Sequence, residues 1–179
     1  MEKTNILAID PSTHMGVVVL SVDTQRMTAI PLEAYEFHAK GKGMPRLAQL
    51  GTEVLRILGA YKIDRVVIEG YSFASRHAIV TMAEVGTVIR YFLYQEGYEY
   101  REVAPPSLKK FVTGKGNCKK DLILLNVYKN WGFETDNDNV ADAFSLAMYE
   151  AAYLVGATDA KGVPSPHKLK KLHLISNNP

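Results

Sequence analysis

The chain has 179 residues, 47% hydrophobic and 22% charged, which suits one compact globular domain and excludes disordered or fibrous classes. A single cysteine, Cys118, excludes an internal disulfide framework, and five scattered histidines without zinc spacing exclude a thiolate-based metal site. The net charge is only +2, yet the signs are segregated: Lys109, Lys110, Lys115, Lys119 and Lys120 share an acid-free stretch, whereas Glu134, Asp136, Asp138 and Asp142 share one without a base.

In chain order, Ile6–Ile9 is a short apolar run closed by Asp10, and Gly16–Val22 is a second β-rich run after a turn at Pro11–Thr13. The two predict a hairpin, and Met27–Phe37 supplies a third, more polar strand. From Pro45 to Gly59 the apolar positions Leu47, Leu50, Val54, Leu55 and Leu58 recur at helical spacing. Arg65–Ile68 is a continuous apolar strand, again closed by an acid, Glu69, and is expected in the buried middle of a sheet.

Residues 75–95 read as a helix that is apolar nearly all round, so both sides are expected to be covered, the second by another element or by a partner subunit. Tyr98–Val103 is a further strand, ended by Pro105-Pro106. A short helix near 107–112, a Gly-Lys-Gly loop at 114–116, and helices over about 119–131 and 137–154 follow. This order predicts a mixed α/β sandwich. Residues 1–155 form the expected domain, and 156–179 a basic, flexible tail whose lysines include 168, 170 and 171.

Asp10 and Glu69 each close a strand and emerge together if those strands lie side by side; Asp138 and Asp142 are i,i+4 on the last helix and share a face. Four carboxylates at one place raise one another's pKa unless cations neutralise them. Magnesium prefers oxygen ligands, and a pair of such ions supports phosphodiester hydrolysis. Taken singly, each acid has a plainer reading, with Asp136 or Asp138 as the N-cap of the last helix and the charge runs as solvated helix faces.

These residues resemble the RuvC-type Holliday-junction resolvases of the RNase H-like nuclease superfamily over roughly Ile6–Tyr153. The resemblance is carried by Ile9-Asp10-Pro11-Ser12-Thr13 with Gly16, by Val67-Ile68-Glu69 followed by Tyr71 and Phe73, and by Ala104-Pro105 with Lys109. Gly114-Lys115-Gly116 before Lys119-Lys120, and Asp138-Asn139-Val140-Ala141-Asp142-Ala143, complete it. It implies an α/β fold of the RNase H-like type, a mixed five-stranded sheet flanked by helices, in a homodimer joined through helix 75–95. It also implies a magnesium-dependent endonuclease, with two Mg2+ per site and Mn2+ as a substitute, that cuts four-way or branched DNA by paired symmetric nicks.

By position, Asp10, Glu69 and Asp142 match the family's metal ligands, and Lys109 and Lys120 match basic residues near the scissile DNA. Bacterial members carry an acid three positions before the last Asp, where this chain has Asn139. Asp138, four positions before, is therefore assigned as the fourth ligand, with Asn139 in reserve. Lys110, Lys115, Lys119, Tyr71, Phe73 and Arg76 complete the expected DNA contacts, Tyr71 and Phe73 having an equal reading as core residues. The departures from the bacterial pattern and the basic tail point to a phage-type member in the host cytoplasm. No membrane and no small-molecule cofactor are expected.

Two other classes bear weighing. The first phosphate loop of actin-like sugar kinases also resembles Asp10–Gly16, but 179 residues leave no room for the second domain those proteins need. A catalytically silent junction-binding module, or an RNA-processing nuclease of the same fold, is the alternative within reach of this sequence.

Overall fold

The structure, a computed structural model, describes residues 3–71 and 79–175. The sheet is built from β1 (Thr4–Asp10), β2 (His14–Asp23), β3 (Thr28–His38), β4 (Arg65–Glu69), β5 (Arg101–Val103) and β6 (His173–Leu174). Its helices are α1 (Gly43–Ala60), α2 (Ile79–Gln95), α3 (Pro105–Thr113), α4 (Lys120–Trp131) and α5 (Asp138–Leu154). The strand order is β5-β4-β1-β2-β3-β6. β1–β2–β3 is an antiparallel meander, while β4 pairs with β1, β5 with β4 and β6 with β3 in parallel.

β1 and β4 are apolar on both faces because both faces are covered. The alternation of side chains along a strand sends Leu7 and Ile9 to one layer and Ile6 and Ala8 to the other. The first layer is closed by α1 and α2 through Leu47, Leu50, Val54, Ile57, Val85, Ile89 and Leu93. The second is closed by α3, α4 and α5. α5 lies against β1, β2 and β4 and buries nearly its whole circumference from Val140 to Ala152. Its alanines at 141, 143, 147, 151 and 152 let the helix sit close to the strands.

Close approach is sharpest at Gly16. A Cβ there would overlap the Asn139 carbonyl at the start of α5, so this position must be glycine for the helix to reach the sheet.

Two expectations change. The sheet has six strands instead of five, because the segment expected as a flexible tail is placed against the molecule up to Ile175. Leu169 and Leu172 are buried, His173 N–H donates to the Met27 carbonyl at 2.8 Å and Ile175 N–H to the Ala29 carbonyl at 2.9 Å. The helix covered on all sides is α5, whereas α2 buries Val85, Gly86, Ile89 and Leu93 and leaves Val80, Tyr91 and Tyr94 exposed. Among the described residues no helix is long and apolar enough to cross a membrane.

Candidate active site

β1 and β4 run parallel with Ile9 beside Ile68, so the next residue of each strand, Asp10 and Glu69, leaves the sheet at the same end. α5 crosses that end and brings Asp142 to the same place. Asp10 is 7% exposed, and Glu69 and Asp142 are half-buried. Burial, followed by repulsion from Glu69 and Asp142, holds the Asp10 pKa well above the usual carboxylate range. Glu69 is pushed up to about 7 by burial and by Asp142. Asp142 is pushed up to about 6, burial outweighing the attraction of Lys120. Among the described residues none of these three carboxylates forms an ion pair.

Two lysines face the group. Lys109 on α3 acts electrostatically on Glu69 and Asp142, and Lys120 at the start of α4 acts on Asp10, Glu69 and Asp142. Lys120 also forms an ion pair with Asp138, which lowers the Asp138 pKa and raises that of Lys120. The structure thus gathers Asp10, Glu69, Asp142, Lys109 and Lys120, with Asp138 at the outer side of Lys120. Asn139 is turned away to another partner, donating from Nδ2 to Glu36 at 2.7 Å.

The N-cap of α5 is Asn137, which is neither of the acids weighed for it. Its Oδ1 accepts from Val140 N–H at 3.0 Å and its Nδ2 donates to Glu36 at 2.9 Å. Asp138 is thereby released from capping. Glu36, on β3 opposite Gly16, ties both asparagines and fixes where α5 begins. Arg90 on α2 plays the same part for Glu69. Its side chain, 11% exposed, donates to the Glu69 carbonyl at 3.3 Å, to the Gly86 carbonyl at 2.9 Å and to Glu102 at 2.8 Å. Sequence reading missed Glu36 and Arg90, since neither carries a motif and both act through partners distant in the chain.

The remaining expected contacts spread out. Tyr71 is packed against α2: its hydroxyl is 3.2 Å from Thr87 Oγ1 and its ring lies under the Arg90 guanidinium at 4.3 Å. Phe73 and Arg76 lie outside the described residues. Lys110 sits one helical step from Lys109 and lines a different groove with Phe111, Tyr149 and Asp159. Lys115 and Lys119 are exposed on the loop leading into α4. In the tail, Lys168 Nζ donates to the Thr158 carbonyl at 2.6 Å.

The donor set at the sheet end consists of carboxylate oxygens, partly to wholly buried and mutually repelling, which suits a hard divalent cation. As they stand, no three acid, histidine or cysteine side chains among the described residues converge on one chelation point. Asp10 and Glu69 lie within hydrogen-bond reach of each other, so the pair shares a proton more readily than two charges in the absence of a cation.

The family model described as crossover junction endodeoxyribonuclease RuvC matches residues 6–150. A Campylobacter hominis protein described as crossover junction endodeoxyribonuclease RuvC is 30% identical over 156 residues, spanning 84% of this chain and 98% of its own length. The solved T. thermophilus RuvC in complex with Holliday junction substrate superposes with a TM-score of 0.73 at 19% identity, over 86% of this chain and 96% of that one. Fowlpox virus resolvase with its Holliday junction DNA superposes at 0.54 and 16% identity, over 85% and 99%. The last two likenesses bear on the fold alone. The match of the family model across most of the chain, residues 6–150, a span that contains Asp10, Glu69, Asp138 and Asp142, places this protein in the RuvC family of crossover junction endodeoxyribonucleases.

Proposed function

We propose that this chain is a structure-selective endonuclease that resolves four-way DNA junctions by metal-dependent phosphodiester hydrolysis. The observation that carries the reading is the burial of Asp10, Glu69 and Asp142 together, without ion-pair partners among the described residues, at one end of the sheet beside Lys109 and Lys120. A protein that kept this fold only to bind DNA would gain stability by replacing such acids, because buried uncompensated charge is costly.

Asp10, Glu69 and Asp142 would hold the metal, two Mg2+ with Mn2+ as a substitute, and Asp138 would join them once released from Lys120. Divalent ions bound there supply an ionised water at neutral pH and stabilise the departing oxygen. The chain's own contribution is position and charge. Arg90 holds the backbone of Glu69, the Asn137–Glu36–Asn139 bonds hold the start of α5, and Lys109 and Lys120 oppose the charge of the scissile phosphate.

Lys115 and Lys119, both exposed in the chain's basic stretch, would bind flanking phosphates. The exposed Val80, Tyr91 and Tyr94 of α2 support a homodimer that sets two such centres symmetrically on one junction.

The test is cleavage of a synthetic four-way junction against linear duplex of the same sequence, with Mg2+ and with chelator. Paired nicks on the junction alone, lost with chelator and reduced by at least about a thousandfold in Asp10→Asn, are expected. Tight junction binding with no cleavage in Mg2+ or Mn2+ would make the protein a silent binding module. Cleavage of structured RNA in preference to both DNAs would make it an RNA-processing nuclease.

A further inference from the structure

β1 and β3 both run antiparallel to β2 and so finish at the same edge of the sheet, β1 at Asp10 and β3 at His38. In the order β5-β4-β1-β2-β3, β5 lies two strands from β1 on one side and β3 two strands from it on the other, about 10 Å each way. β5 runs on into α3, which carries Lys109. β3 runs on into a segment that carries Lys40, Lys42 and Arg46.

From residue 37 to residue 52 these three are joined by no acid. Lys40 and Lys42 are exposed and Arg46 is half-buried, and none of the three forms an ion pair among the described residues. Arg46 Nε, closed to solvent, has no acceptor there. α1 offers no compensation, since its first turn holds no acidic residue, where one would be favoured. The acids that bound the stretch are engaged elsewhere, Glu36 by Asn137 and Asn139, and Glu53 by Tyr35 and Arg56.

The segment is also held in shape. His14 faces His38 at the last position of the β2–β3 ladder, and their rings stack with centroids 4.0 Å apart. Ala39 N–H donates to the Thr13 carbonyl at 3.3 Å, tying the segment to the turn that follows Asp10. Gln49 Oε1 accepts from Lys40 N–H at 3.1 Å, while its Nε2 donates to the Lys40 carbonyl at 2.9 Å and to the Pro45 carbonyl at 3.0 Å. Gly41 and Gly43, at φ +85° and +58°, make the turn between, with open space around them. The lysines therefore stand on a fixed turn that projects into solvent, and little order has to be imposed when a ligand arrives.

Uncompensated positive charge at the same sheet edge as a centre for phosphodiester hydrolysis fits a phosphate chain. We propose that segment 40–46 is a second phosphate-binding surface for junction DNA, holding the cut strand on the side of the scissile phosphate opposite to the side held from α3 and α4. The proposal rests on the junction-cleaving reading of the acidic centre. The acids then lie between two cationic flanks, and a backbone fixed on both sides of the bond to be broken is oriented for attack.

The experiment measures binding of a synthetic four-way junction to the full chain carrying Asp10→Asn over a range of salt concentrations. Lys40→Ala with Lys42→Ala is added to this parent, and for comparison Lys62→Ala with Lys129→Ala, which removes equal charge from exposed positions elsewhere. With the first pair the slope of log binding constant against log salt should fall by about 2, and affinity at about 100 mM salt by at least about tenfold. The second pair should change both little. Ethylation of single phosphates should interfere with binding on both sides of the cut position in the parent, and on one side alone in the Lys40, Lys42 variant. Circular dichroism confirms that the exposed substitutions leave the fold intact. An unaltered slope, or equal losses in the two pairs, would overturn this proposal while junction binding by the parent still stood. A parent that binds no junction would overturn it together with the reading of the acidic centre.

Discussion

Asp10, Glu69 and Asp142 make the folded, metal-free protein a stronger proton binder than the unfolded chain, because their pKa values rise on folding. Their contribution to stability is full below about pH 4, where both states are protonated at these groups. It is lost as pH rises through about 6 for Asp142 and about 7 for Glu69. Metal-free Tm is therefore expected to decline between pH 5 and 8, and added Mg2+ to restore it increasingly toward pH 8. Asp10→Asn removes one of the repelling charges. At pH 8 without metal it should stabilise the protein by about 1–2 kcal/mol, roughly 2–8 °C in Tm, while abolishing cleavage. A Tm that is flat over this range in chelator, or lower in Asp10→Asn, would show that the three acids do not repel one another in the free protein.

At the scale of elements, the acids were readable because each closes an apolar run: Asp10 after Ile6–Ile9, Glu69 after Val66–Ile68. The partners that position them were not. Glu36 faces Gly16, and His14 faces His38, only in one register of β2 on β3, and that register shifts at Val19/Leu20. A slip of one residue turns every side chain to the other face, so no periodicity in the sequence could have paired them. β6 was missed for another reason, since two residues carry no pattern. α5 hid its burial behind alanines, while the bulkier apolar residues of α2 suggested a covered helix that the single chain leaves half open.

The helix–strand contact at Gly16 is testable by itself. Gly16→Ala pushes α5 off β2 where Asn139 begins its turn, and should cost about 2 kcal/mol or more in urea unfolding. Because Asp142 rides on α5, junction cleavage should fall at least tenfold under conditions where the variant is still folded. Full activity in a stable Gly16→Ala protein would show that α5 does not depend on this approach.

Across the whole molecule, charge is arranged as a gradient. Lys115, Lys119 and Lys120 are exposed whereas Asp10 is buried and Glu69 and Asp142 half-buried, so the proposed phosphate contacts lie outside the proposed metal ligands. The double variant Lys115→Ala, Lys119→Ala should lower the slope of log binding constant against log salt by about 2 for every junction sequence alike, with catalysis of bound junction little changed. An unaltered slope would place the DNA elsewhere.

The position of α5 has a consequence for how the chain comes to be folded. The meander β1–β2–β3 is made first, yet the layer over Ile6, Ala8, Val18, Leu20 and Val22 is closed by a helix that begins at Asp138. Until that helix leaves the ribosome, one face of the nascent sheet has nothing to cover it. Such distant closure slows folding and leaves sticky surface open for association. Fragments ending before residue 138 are expected to aggregate, and the domain to commit to its native state only once α5 has been made.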